Sequence, residues 1–149
     1  MNLQTFLSEA LKNNGGSYNI TTGESNPTDG YMVSLLNNEL VIDANDLCAT
    51  VLSEYIIANA DELSDDNAFV GLWINNGKAY LDVSIHYPEL KYAIIAGMNN
   101  KQKAIWDFSN NRAITLPTNQ SSGTTTQQLE YQKQVVDKMI NNYPECKWY

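Results

Sequence analysis

Residues 75–87 read NNGKAYLDVSIHY and contain the only histidine of the chain. Taking every second residue of an extended strand puts Asp82, Ser84 and His86 on one side. These are the residue types of a hydrolytic triad, in which an acid orients a histidine that takes the serine proton. The spacing argues against that chemistry. Residues i and i+2 of a strand stand about 7 Å apart, because the rise is about 3.4 Å per residue. A triad needs hydrogen bonds of about 2.6–3.2 Å between its members. Ser84 also lacks the flanking glycines of a nucleophile elbow. The row reads as the hydrogen-bonding side of a strand whose opposite side is core, with His86 solvated at the strand end before Pro88.

Two carboxylates remain placed for acid–base work. Asp82 and Asp107 both fall on predicted strands beside aromatic residues, and both are expected to be exposed or structurally hydrogen-bonded instead. The stretch DANDLCATVLSE has oxygen-bearing residues at the first, third and twelfth positions of an EF-hand loop. Leu47 and Cys48 stand where that loop needs an oxygen ligand and a glycine. No phosphate-binding glycine motif or zinc-protease motif occurs. One histidine and two distant cysteines, Cys48 and Cys146, do not make a transition-metal site or a disulfide framework. No catalytic residue, metal or cofactor is assigned.

Charge is informative in its layout. The 149 residues carry 9 basic and 17 acidic side chains, a net charge of −8. No lysine or arginine occurs between Lys12 and Lys78, and that interval holds ten acids, from Glu24 to Asp66. An acidic surface of this kind repels phosphate backbones and excludes direct nucleic-acid binding. It suits solubility or a basic partner. No apolar run approaches the ~20 residues of a membrane span. The N-terminus has no secretory h-region, so a cytoplasmic protein is expected, and the glycosylation sequons at Asn19 and Asn119 carry no meaning.

The elements that must position these residues follow from periodicity. LQTFLSEALKN puts Leu3, Phe6, Leu7 and Leu11 on one helical face, and Gly15 and Gly16 end that helix. YMVSLL, residues 31–36, reads as a strand. DANDLCATVLSEYIIANADEL reads as a well-buried helix capped by Asp43. AFVGLWINNGKAYLDVSIHY is the clearest element, a hairpin whose Asn76-Gly77 turn needs positive φ. That turn pairs Val70 with Val83, Leu72 with Leu81 and Ile74 with Ala79 on an apolar face. Phe69 with Ser84, Gly71 with Asp82 and Trp73 with Tyr80 form the other. Pro88 opens a helix with Leu90, Ala93, Ile94 and Met98 inward. KAIWDF and AITL are strands joined by SNNR. Residues 117–125 form a polar linker, followed by an amphipathic helix at 126–142 with Leu129, Val136, Ile140 and Tyr143 along its stripe. The terminal ECKWY places aromatics for packing or contact. The expected fold is α+β, a mostly antiparallel sheet of about five strands with a central Asn-Gly hairpin, packed by three to four helices. Residues 1–116 form one domain, and residues 126–149 a C-terminal helix and tail.

At DGYMVSL (29–35), FVGLWINNGKAYLDVS (69–84) and NKQKAIWDFSNNRAI (100–114) the chain resembles a family of small accessory proteins encoded by bacteriophages and other mobile elements. The resemblance spans about residues 29–116. It implies a viral or mobile-element setting, with the host cytoplasm as the location, and no particular reaction. Small acidic proteins of that setting often block host defence enzymes by binding them, including CRISPR and restriction nucleases.

Three functions follow as expectations. In the first, the protein is a non-catalytic inhibitor that occludes a basic host protein or protein–nucleic-acid complex, through Asp61, Glu62, Asp65 and Asp66. In the second, it binds or converts a small molecule at a sheet face formed by Phe69, Trp73, Tyr80 and Asp82. In the third, it is a self-associating accessory protein, a homodimer built through its last helix.

Overall fold

A computed structural model describes residues 2–117 and 125–144. Among them are seven strands, every described pairing antiparallel, and five α-helices. The chain forms two compact units, one built from residues 1–27 and 37–85, the other from residues 28–36 and 86–149. The linker at 117–125 lies largely outside the described residues, as do Cys146 and the aromatic tail at 145–149.

The first unit opens with helix α1, Leu3–Asn13. Asn2 caps it, its Oδ1 accepting from the Thr5 N–H at 2.9 Å, which satisfies one of the orphan donors of the first turn. α1 buries Phe6, Leu7 and Ala10. Leu11, expected inside, is instead 45% exposed; the small Ala10 faces the sheet in its place, next to Gly16. The chain does not turn away after the helix. Asn14 takes the left-handed conformation that closes α1, and Gly15–Tyr18 continues as strand β1. A side chain at Gly15 would lie 2.6 Å from the Leu72 carbonyl oxygen, and one at Gly16 would lie 3.1 Å from the Phe6 ring. The glycines read as a helix stop are therefore also a strand that only glycine can bring so close.

Strands β4, Ala68–Asn75, and β5, Lys78–Tyr87, form the expected hairpin. Asn76 and Gly77 both have positive φ, 51° and 76°, the conformation of a type I′ turn. The register is the expected one, with Leu72 opposite Leu81 and Trp73 opposite Tyr80. Val70, Leu72, Ala79, Leu81 and Val83 are buried. β1 pairs with β4 on one side, and strand β3, Leu40–Asp43, pairs with β5 on the other.

That strand corrects the reading of Asp43 as a helix cap. A 3-10 turn at Ala44–Asp46 follows β3, helix α2 starts only at Ala49 and ends at Ala58, and a separate short helix, α3, spans Ala60–Leu63. Asp43 instead pairs with Lys78 at 2.5 Å. Nor is the helix well buried. Leu52 and Tyr55 are inside, whereas Ile57 is 74% exposed. A wide apolar band does not guarantee a covering element on every side of it.

The second unit contains strand β2, Tyr31–Ser34, helix α4, Leu90–Asn99, strands β6, Ala104–Asp107, and β7, Arg112–Thr115, and helix α5, Thr125–Asn142. β6 pairs with both β2 and β7. Leu90, Ala93, Ile94 and Met98 of α4 are buried as their spacing predicts. They share one core with Tyr31, Val33, Ile105, Ile114 and Leu116, and with Val135, Val136 and Met139 of α5. Leu129, expected on the buried stripe of α5, is 61% exposed.

Leu81 has no exposed surface and sits at the centre of the hairpin's apolar face. Leu81→Ala is expected to lower stability by about 2–5 kcal/mol, measured as a shift of the urea midpoint with an unchanged slope.

Candidate functional site

The second face of the β4–β5 hairpin carries Phe69, Trp73, Tyr80, Asp82 and Ser84, and it is not uniform. Toward the start of β4 it is closed, with Phe69 2% and Ser84 5% exposed. Toward the turn it is open, with Trp73 55% exposed. Between the two ends, Asp82 lies over Gly71. A methyl group on Gly71 would fall 2.1 Å from Asp82 Oδ1, so a glycine opposite the aspartate is what admits the carboxylate there.

Asp82 and Ser84 are joined directly, and His86 bonds to backbone. The Ser84 hydroxyl donates to Asp82 Oδ1 at 3.1 Å. His86 Nε2 lies 2.8 Å from the Asp29 carbonyl oxygen, which can only accept, so the proton sits on Nε2. The imidazole is half-buried rather than fully solvated, and its ring lies 6.1 Å from the Phe108 ring. Asp107 is fully buried. Its carboxylate accepts from the Asn110 backbone N–H, from Asn110 Nδ2 at 2.8 Å and from Arg112 Nε at 3.3 Å. These bonds close the β6–β7 hairpin, with Asp107 opposite Arg112. Asp107 is a structural carboxylate of the second unit, whereas Asp82 belongs to the first.

The charge asymmetry of the sequence becomes an asymmetry between folded units. The first unit holds eleven acids and two lysines, a net charge of −9; the second holds six acids and seven bases, a net charge of +1. All ten acids between Lys12 and Lys78 are exposed. Asp61 and Glu62 lie in the first turn of α3, where the helix dipole favours negative charge. Asp65 and Asp66 follow it. Asp65 is not purely a surface charge, since its Oδ1 accepts from the Asn67 N–H at 2.7 Å. The segment is held in place by Asn19, whose Nδ2 donates to the Asp66 carbonyl at 2.7 Å. Asn19 is 1% exposed and its Oδ1 also accepts from the Thr21 and Thr22 N–H groups. Its place in a glycosylation sequon gave no sign of this. A buried asparagine bridging two loops separated by 47 residues is invisible to periodicity.

Tyr55 on α2 senses the acidic surroundings. Its hydroxyl donates to the Asn38 carbonyl at 2.6 Å. Burial, and then the charges of Asp82, Glu39 and Glu62, push the phenol above its ordinary range. Glu62 of the acidic segment, Asp82 of the sheet and Glu39 ahead of β3 thus act electrostatically on one side chain. On the same sheet, the hydrogen bond that the Lys78 ammonium donates to Asp43, and then the Asp43 charge, push the lysine above its ordinary value.

A separate depression of about 410 Å³ lies in the second unit, between β7 and α5, lined by Thr115, Tyr131, Val135, Lys138 and Tyr143 among others. Its charged group is Lys138, which shares the lining with the phenols of Tyr131 and Tyr143. Among the described residues no three His, Cys, Asp or Glu side chains group closely enough to hold a metal ion. Nor is any described helix long and apolar enough to cross a membrane. The chain matches no protein-family model, no curated protein and no solved structure.

The raised phenol of Tyr55 has a definite consequence for stability. Below the ordinary tyrosine value of about 10 its contribution is fully present. It is lost as pH rises from there toward the higher folded value, because the unfolded chain releases the proton first. Tyr55→Phe is expected to remove this component, giving a flatter loss of stability in urea titrations above about pH 10. Asp107→Ala is expected to lower stability by about 1–3 kcal/mol, by removing the charge-assisted hydrogen bonds that tie Asn110 and Arg112 into the hairpin turn.

Proposed function

We propose that the protein is a non-catalytic acidic accessory protein of a bacteriophage or mobile element, one that binds a positively charged host protein and occludes it. The observation that carries this reading is the exposure of all ten acids between Lys12 and Lys78, nine of them in a unit of net charge −9 that contains two lysines, one of them paired with Asp43. Most of this charge contributes nothing to folding that a neutral polar residue would not. Like charges brought together in a compact unit repel one another and oppose folding. A basic partner relieves that repulsion on binding. The acidic character makes a nucleic acid an unsuitable ligand and the nucleic-acid-binding surface of a protein a suitable one. The setting rests on the GYMVSL, YLDVS and QKAIWD segments. A counter-defence role, of the anti-CRISPR or anti-restriction kind, is the form of occlusion that setting favours.

Affinity capture of the full chain from host extract supplies the partner, and stopped-flow association at graded salt tests the mechanism. Association is expected to be fast at low salt and to slow as the Debye length shrinks toward ~8 Å. The combined variant Asp61→Asn, Glu62→Gln, Asp65→Asn and Asp66→Asn retains an acceptor oxygen at position 65 and is expected to fold normally. It should slow association roughly tenfold and flatten the salt dependence. An unchanged rate and salt slope in this variant would overturn the reading.

A further inference from the structure

The open end of the β4–β5 face holds an apolar row that crosses three strands. Val41 of β3 stands opposite Tyr80 of β5, and Tyr80 stands opposite Trp73 of β4. The Trp73 and Tyr80 rings lie 5.1 Å apart, tilted by 35°. Val41 is 45% and Trp73 55% exposed. On the far side of Trp73 the fourth strand presents Gly15, which has no side chain to cover the indole. This is the side of the sheet that a one-residue register slip would have buried. Here it stays in solvent with two aromatic groups side by side, an arrangement a folded chain ordinarily covers.

Charge surrounds this row. Asp43 and Asp82 each lie two residues from a member of the row on the same strand, and therefore on the same face. Glu39 precedes β3 and acts with Asp82 on Tyr55. Lys78, the base beside Tyr80, is held by Asp43, and the Asp43 and Asp82 carboxylates on this face outnumber it, with Asp46 also acting on it. Aromatic faces attract cations through the ring quadrupole, and a guanidinium also stacks flat on an indole while its N–H groups reach a carboxylate. An ammonium lacks the planar stacking.

We propose that the Val41–Tyr80–Trp73 row is the docking platform for an arginine-bearing segment of the cationic protein partner, with the guanidinium stacked on the aromatic pair and drawn in by Asp82 and Glu39. This rests on the reading of the protein as a binder of basic protein surfaces, and it assigns the recognition element that long-range charge alone does not supply. The acids of α3 and the turn after it govern how fast the partner arrives; the platform governs which cation is retained.

The test uses the full chain and two labelled peptides, octa-arginine and octa-lysine, at matched ionic strength. The wild-type protein is expected to bind the arginine peptide about two- to fivefold more tightly than the lysine peptide. Trp73→Leu and Tyr80→Leu keep apolar bulk and remove the ring faces; each should abolish that preference while leaving the thermal midpoint close to that of the wild type. The indole N–H resonance of Trp73 should shift on adding the arginine peptide. The four-residue acidic variant should weaken both peptides alike and keep the preference. Equal binding of the two peptides by the wild type, survival of the preference in both leucine variants, or an unmoved Trp73 resonance would each overturn the platform while leaving the charge-based reading standing. Failure of both peptides to bind at low salt would overturn both.

Discussion

The register of the β4–β5 hairpin is the constraint from which much of the first unit follows. Asn76 and Gly77 accept the positive φ angles that a two-residue turn demands, and the register of every following pair is then fixed. Moving it by one residue would exchange the two faces, burying Trp73, Tyr80 and Asp82 and exposing Leu72, Leu81 and Val83. With the register as it is, the five buried residues of the apolar face form a surface for core packing, and β1 and β3 extend the sheet on either side. Gly15 lets β1 approach the Leu72 carbonyl more closely than a side chain would permit, and a side chain at Gly16 would crowd the Phe6 ring. The short edge strand β3 then places Val41 and Asp43 beside Tyr80 and Lys78.

Residues with chemical potential are largely put to structural use. Asp107 is inaccessible to solvent and ties its own hairpin loop to Arg112. Ser84 is buried and donates to Asp82, and His86 holds the Asp29 carbonyl. Each of these bonds satisfies a polar group that would otherwise be costly to bury. The ten acids between Lys12 and Lys78 and the Trp73 ring remain exposed instead.

The two units also divide the electrostatics. Nearly all of the net negative charge resides in the first, while the second is close to neutral. Such segregation concentrates the negative field on the first unit. Within the first unit Glu39, Glu62 and Asp82, distant in sequence, all bear on Tyr55. A surface of this kind steers association over a Debye length and needs a short-range contact to confer selectivity.

The sequence by itself determined the α+β class, the hairpin and its register, the inward face of α4 and the unbroken run of acids. Each is encoded locally, in a turn dipeptide, a period of two or 3.6, or a stretch without bases. Tertiary structure alone decided the rest. Gly15–Tyr18 carries no strand periodicity and becomes a strand because β4 offers an edge that only glycine backbone can approach. Leu40–Asp43 is too short to declare itself and is drawn into the sheet by β5, which moves Asp43 from a helix cap to an ion pair. Leu11 and Leu129 satisfy a helical pattern and remain outside, because a pattern states which face is apolar and not whether another element arrives to cover it. Asn19 and Asp107 became structural for the same reason: their partners are set by where the loops and hairpins come to rest in space, which residue type and spacing do not contain.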